Sequence, residues 1–99
     1  MELTERQRQY LRKLGHALKP VIQIGDAGLT EPVANETERA LRDHELIKVK
    51  VHGTDRDARD AMLAELARRT GSALVQRIGH VAVLYRPNPE MAKLVIPDP

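Results

Sequence analysis

Apolar positions in the first twenty residues recur at helical spacing. Leu3, Leu11, Leu14 and Leu18, with Tyr10 beside them, fall on one stripe, while Arg6, Arg8, Arg12 and Lys13 fall largely away from it. Thr4 with Gln7 three residues on reads as a capping box, and Gly15-His16 followed by Lys19-Pro20 ends the helix by about residue 17. The pattern then shortens. Val21 to Ile24, a run rich in β-branched residues between Pro20 and Gly25, predicts a buried strand. Thr30-Glu31-Pro32 is a helix start, with an N-cap, an acid at the positive end of the dipole and a proline where an N–H would lack a partner anyway. In that second helix Val33, Thr37, Ala40, Leu41 and His44 line one side, and Glu31, Glu36, Glu38 and Asp43 hold the other in water.

From Leu46 to His52 the period becomes two, with Ile47, Val49 and Val51 alternating against Lys48, Lys50 and His52. That is a half-buried strand with a basic second face. Gly53-Thr54-Asp55 forms a turn and cap, and a third helix over about 56 to 70 is expected to bury Ala58, Ala61, Met62, Leu63 and Leu66 before stopping at Gly71. Ala73 to Ile78 and Val81 to Arg86 flank Gly79-His80, a glycine-first pair suited to a type II′ hairpin turn. The element string is α-β-α-β-α-β-β, an α/β single domain of two-layer type with a mixed sheet. Val81 to Tyr85 is apolar on both faces, so the last strand should lie inside the sheet. The domain spans residues 1–87, and 88–99 is a short proline-rich tail that the pattern does not place.

Ninety-nine residues support one core and not two. The absence of cysteine removes disulfide and thiolate chemistry, and no apolar stretch reaches the length of a signal h-region or a membrane span, so a cytoplasmic protein without a membrane partner is expected. The net charge of +2 hides segregation. Residues 1–20 carry five Lys and Arg against two Asp and Glu, residues 21–45 carry two against six, and residues 46–86 carry eight against four. Such blocks suggest one side that faces a polyanion and one solvated acidic side.

Catalysis finds little support. The one serine, Ser72, follows a helix stop, and His16, His44, His52 and His80 are scattered over different elements with no metal-ligand spacing. We therefore expect a non-enzyme with no metal, no cofactor and no small-molecule substrate. The informative stretch is Gly25-Asp26-Ala27-Gly28, a four-residue loop between strand and helix with a glycine at each end. Its backbone N–H groups and the helix start behind it are expected to meet phosphate. Lys13, Lys19, Lys48 and Lys50 would add long-range attraction. A following Gly-Lys-Ser/Thr is missing, which excludes a P-loop, and with only Tyr10 and Tyr85 aromatic, base stacking cannot be the main mode of binding.

The whole pattern resembles the stand-alone YhbY-type proteins of the CRM domain family, named for chloroplast RNA splicing and ribosome maturation. The resemblance runs from residue 3 to 87 and is carried by Leu18-Lys19-Pro20-Val21 leading to Gly25-Asp26-Ala27-Gly28-Leu29-Thr30, by His44 to Lys50, by Thr70-Gly71, by Gln76-Arg77-Ile78-Gly79 and by Leu84-Tyr85-Arg86-Pro87. It implies a fold similar to the C-terminal domain of translation initiation factor three, with a four-stranded mixed sheet ordered 1-2-4-3. It also implies an RNA-binding surface around the loop, with Gly25 and Gly28 forming it, Lys19, Lys48 and Lys50 as its basic surround, Arg77 and Arg86 as weaker candidates, and a role in large-subunit assembly on precursor rRNA; the candidate surface as a whole is Gly25, Asp26, Ala27, Gly28, Lys13, Lys19, Lys48, Lys50, Arg77 and Arg86, and a monomer is expected. A protein-interaction module docking on a ribosomal protein or assembly factor is the alternative. Two positions depart from the family's habit: Asp26 stands where a polar or basic residue is common in the loop, and His80 stands where lysine often follows the hairpin glycine.

Overall fold

The computed structural model describes residues 2–53, 55–90 and 92–99; Thr54, expected in the turn before the third helix, lies outside the described residues. The elements follow the expected order: α1 (Glu5–His16), β1 (Pro20–Ile24), α2 (Glu31–His44), β2 (Leu46–Val51), α3 (Arg56–Thr70), β3 (Ala73–Ile78) and β4 (Val81–Tyr85). Each helix starts where a side chain satisfies an orphan N–H. Thr4 and Gln7 form the full capping box, Thr30 accepts from the Val33 N–H with proline in the first turn, and Asp55 accepts from the Ala58 N–H. α3 ends at Gly71 in the left-handed region, with φ 63°. Gly79 turns the hairpin with φ 58° while His80 stays at negative φ, the combination that separates type II′ from type I′.

The sheet is four-stranded in the order β1-β2-β4-β3. β1 and β2 are parallel, and β4 is antiparallel to both β2 and β3. Its central place follows from having no polar face to show to water: Ala82, Val83, Leu84 and Tyr85 are all buried. Because side chains alternate across a strand, the core divides in two. Ile22, Ile24, Ile47, Val49, Val51, Ala82 and Leu84 pack against Leu41 of α2 and Leu63, Leu66 and Ala67 of α3. Leu46, Val75, Val83 and Tyr85 turn the other way and pack against Leu11 of α1. Thus α1 lies alone on one face and α2 with α3 on the other.

α3 keeps its expected phase except at Ala61, with Leu63 and Leu66 buried as expected and Met62 packed against the core. Leu63, Leu66, Ala67 and Thr70 are buried, whereas Ala61 is exposed and Ala58 and Met62 are half-buried. The helix carries alanines at 58, 61, 64 and 67, which mark no face because a methyl group is tolerated in water and in a core alike. The two leucines decide the phase, and Thr70 follows them inward because its hydroxyl donates to the Leu66 carbonyl at 2.8 Å.

α1 approaches the sheet most closely at Gly15. A Cβ there would sit 3.0 and 3.1 Å from the two methyls of Val83. Gly15→Val should therefore lower stability by about 2 kcal/mol through overpacking. A denaturant midpoint measures it; an unchanged midpoint would show that α1 can lift off the sheet without loss.

The tail also has a place. Leu94 and Ile96 join the α1-side core, and the Gln7 side-chain amide donates to the Pro97 carbonyl at 3.1 Å. The chain is held there by Glu45, the C-cap of α2, at φ 63° and 1% exposed. Its carboxylate accepts from the Asn88, Lys93 and Leu94 N–H groups. Burial alone would push this carboxyl up, but those three N–H groups and the nearby Lys93 charge outweigh it and hold it below its ordinary value.

Candidate nucleic-acid interface

The glycine loop leaves the sheet just after the last β1 bond, in which the His52 N–H donates to the Ile24 carbonyl at 2.8 Å. A β-turn follows, with the Gly28 N–H donating to the Gly25 carbonyl at 3.0 Å. Neither Asp26 nor Ala27 has positive φ, and Gly28, next in line, has φ 75°. So one amide of the loop is closed within the turn. The amides of Asp26 and Ala27, at exposed positions, have no partner among the described residues. The two glycines do different work. Gly28 is required by its backbone angle, whereas a Cβ at Gly25 would meet nothing within 4 Å and its φ lies outside the left-handed region.

The helix start behind the loop corrects one expectation. The Val33 N–H is taken by the Thr30 hydroxyl, the Ala34 N–H by the Thr30 carbonyl, and Pro32 has none to give. A capped α2 has little left to offer an anion, so anion contact falls to the loop amides. Two acids near the loop are also accounted for. Glu31 is ion-paired with Arg69 of α3, and the Asp26 carboxylate lies against the turn after β2, with Oδ1 2.9 Å from where a Cβ on Gly53 would stand.

The lysines lie on the α1 side of the sheet. Leu46, Lys48 and Lys50 share that face of β2, and α1 covers only its Leu46 end. Toward the loop and the hairpin the face is open: Lys50 and Gln23 are exposed, Val21 is 50% and Ile78 68% exposed. Lys19 and Lys48 line one cavity at the start of β1, and Lys50 stands about 7 Å further along β2 at ~3.3 Å per residue. Gln23 pairs with Lys50 in the ladder and its Oε1 lies 2.8 Å from His52 Nε2, which brings His52 onto the same strip. Lys48 Nζ donates to the His16 carbonyl at 3.4 Å, at the negative end of α1. Among the described residues none of Lys13, Lys19, Lys48 and Lys50 forms an ion pair.

Three expected contacts stand elsewhere. Arg77 lies on the α2/α3 face, where its side chain pairs with Asp60 of α3 and donates to the Gly79 carbonyl at 2.9 Å, pinning the hairpin. Arg86 lies past the other end of β4, where its guanidinium holds Glu38 Oε2 at 2.7 Å and the Thr70 carbonyl at 2.8 Å. Both act as internal braces. Lys13 is exposed on α1 beside Tyr10 and the tail, apart from the strip. Tyr85 is 3% exposed, and burial, with the Glu45 charge, raises its hydroxyl pKa; it cannot stack on a base. The acidic side of α2 is thinner than its sequence suggests, since Glu31 and Glu38 are both paired with arginine. Of the residues now on the strip, Gln23 had no signal in the sequence, while His52 continues the alternation of Lys48 and Lys50.

Comparison with known proteins places these features in context. The profile of the CRS1 / YhbY (CRM) domain matches residues 3–86. A Haemophilus influenzae protein named RNA-binding protein is 50% identical over 95 residues, covering 96% of this chain and 95% of that one. The Pseudomonas aeruginosa protein PA4753, named a probable RNA-binding protein, is 50% identical over 93 residues, covering 94% and 89%. The solution structure of the hypothetical protein SAV1595 from Staphylococcus aureus superposes with a TM-score of 0.84 at 36% identity, over 97% of this chain and 100% of that one.

Proposed function

The chain belongs to the CRS1 / YhbY (CRM) domain family, and from that premise we propose that it binds single-stranded RNA along a strip from Lys19 and Lys48, past Lys50, to the Gly25–Gly28 loop. The observation that carries this reading is the run of lysines without ion pairs leading to a loop whose Asp26 and Ala27 amides have no partner among the described residues. Lysine ammonium groups attract phosphate at range without reading sequence, and unpartnered amides at a bare turn give short, directional contacts. Gly25 strengthens the reading: the fold leaves room for a side chain there, and its absence lets a sugar-phosphate backbone come close. The two relatives named for RNA binding are half identical to this chain over nearly its whole length.

Likeness to the YhbY-type proteins supports a finer assignment. The ligand is precursor rRNA of the large ribosomal subunit, the protein acts as a cytoplasmic monomer, and it holds RNA during assembly without catalysing a reaction. Crosslinking in cells followed by sequencing of the attached RNA tests this; tags spread over messenger RNA with no excess on large-subunit precursors would overturn it. In vitro, three lysines neutralise about three phosphates, so log affinity should fall with log salt at a slope near −2. Changing Lys48 and Lys50 together to glutamine should flatten that slope by about 1.4. A slope that both proteins share would remove these lysines from the interface.

A further inference from the structure

The two ladders of β2 leave a gap at its first residue. Val51 donates its N–H to the His80 carbonyl at 2.8 Å, and Arg86 donates to the Glu45 carbonyl at 2.9 Å, so odd-numbered residues of this strand bond toward β4. Even-numbered residues, Leu46 among them, therefore direct N–H and C=O toward β1, as the bond from His52 to Ile24 shows at the other end. Yet β1 begins at Pro20, opposite Lys48, and a β-bulge between Pro20 and Ile22 shifts the register there. A parallel ladder bonds each residue to the two that flank its partner, so with Pro20 opposite Lys48 the Leu46 carbonyl would have to meet the N–H of Lys19, which lies before β1 begins. Leu46 is 6% exposed, and among the described residues no bond joins its N–H or C=O to the chain before β1.

A cavity of about 440 Å³ opens at this gap. Leu14, Leu18, Val21 and Leu94 wall it with hydrocarbon, and the polar side chains that line it are Lys19, Lys48 and His44. Its chemistry is specific: apolar walls, one backbone donor beside one backbone acceptor on a strand edge, and two ammonium groups. A nucleobase matches all three, with apolar faces, an edge that carries a donor next to an acceptor, and a phosphate on either side of it. A peptide strand would gain only one residue of ladder here and nothing from two lysines. An aliphatic anion has no donor–acceptor edge.

We infer that one unstacked nucleobase of the bound RNA strand enters this cavity, with its polar edge on the Leu46 N–H and C=O and the adjoining phosphates on Lys19 and Lys48. This rests on the RNA-binding reading above. The base lies against leucine and valine side chains and the methylene stems of the lysines, which suits a chain with little aromatic surface. Base identity is read weakly, because all four bases carry a donor beside an acceptor.

The test compares a short oligouridine with the same oligomer stripped of its bases, using the full chain. The wild type should bind the base-containing strand about tenfold more tightly than the abasic one, at the same salt slope. Val21→Trp, at a half-exposed position, fills the cavity and should erase that difference without changing the slope. Independently of any variant, the Leu46 amide resonance should shift on adding oligouridine and stay put with the abasic strand. Equal affinity for both strands, or an unmoved Leu46, overturns the inference while leaving RNA binding intact. No salt-dependent binding of either strand defeats the function itself. If free uridine monophosphate shifts Leu46 fully and the oligomer gains no affinity from its bases, the cavity serves a mononucleotide and the inference is likewise overturned. Loss of a protein contact by Val21→Trp with RNA affinity unchanged overturns it too.

Discussion

Glu45→Ala should lower stability by about 3 kcal/mol, enough to move the thermal midpoint of a domain of this size by roughly 12–24 °C. The reason is that the variant keeps the left-handed φ of 63° but removes the acceptor for three N–H groups, those of Asn88, Lys93 and Leu94. Those donors either stay unpaired in a buried place or detach and take Leu94 and Ile96 out of the core with them. Calorimetry and limited proteolysis after residue 86 distinguish the two outcomes, and a midpoint equal to wild type would show that the carboxylate is dispensable. Glu45→Gly removes the same acceptor but relieves the backbone, so it should cost less than alanine by about 1 kcal/mol.

The same carboxylate predicts a direction with pH. Its pKa is lowered in the folded state, so its contribution is fully present above the unfolded value near 4.5 and is lost as pH falls through the folded value. Wild type should therefore lose stability on acidification below about that point more steeply than Glu45→Gln, which has no proton to take up there. Parallel acid limbs for the two proteins would assign the loss to other carboxylates.

Gly25→Glu should leave the fold intact and lower affinity for single-stranded RNA at least tenfold, or by about 1.4 kcal/mol. Nothing stands within 4 Å of a Cβ at this position, so stability should stay within ~0.5 kcal/mol of wild type. The new carboxylate would project from the loop into the path proposed for phosphate. Gly28 is the contrasting case. At φ 75° any L side chain is strained, so Gly28→Ala should cost about 1–2 kcal/mol of stability with no comparable effect on RNA affinity once the protein is folded. The pair separates a glycine kept for its backbone angle from one kept for access. Filter binding with melting curves on the same preparations reads both quantities, and wild-type affinity in Gly25→Glu would mean that the strand does not pass the loop.

Much of the architecture can be read one element at a time. Thr4 with Gln7, Thr30 with Pro32, Asp55, Gly71 and Gly79 each sit where a cap or turn needs that residue type, and each is realised as such. The inner place of β4 follows from an apolar run with no polar face, and the common face of Lys48 and Lys50 from a period of two. In α3 the same reasoning fails at Ala61 alone, because an alanine by itself marks no face.

The sequence by itself determined where chain direction changes and which strand lies inside, because caps, turns and side-chain periodicity act over a few residues and need no distant partner. Only the tertiary structure decided which charges stay available. Arg77 and Arg86 look like Lys48 and Lys50 along the chain, but the fold brings Asp60, 17 residues from Arg77, and Glu38, 48 residues from Arg86, within reach and turns both arginines into braces. Glu45 reads as one more surface acid until the tail wraps over it. The open polar edge of Leu46 depends on where Pro20 falls in a ladder with β2. An ionic or hydrogen-bonding group is free or spent according to what the fold brings to it, and contacts across the sheet are set by the packing of elements far apart in sequence.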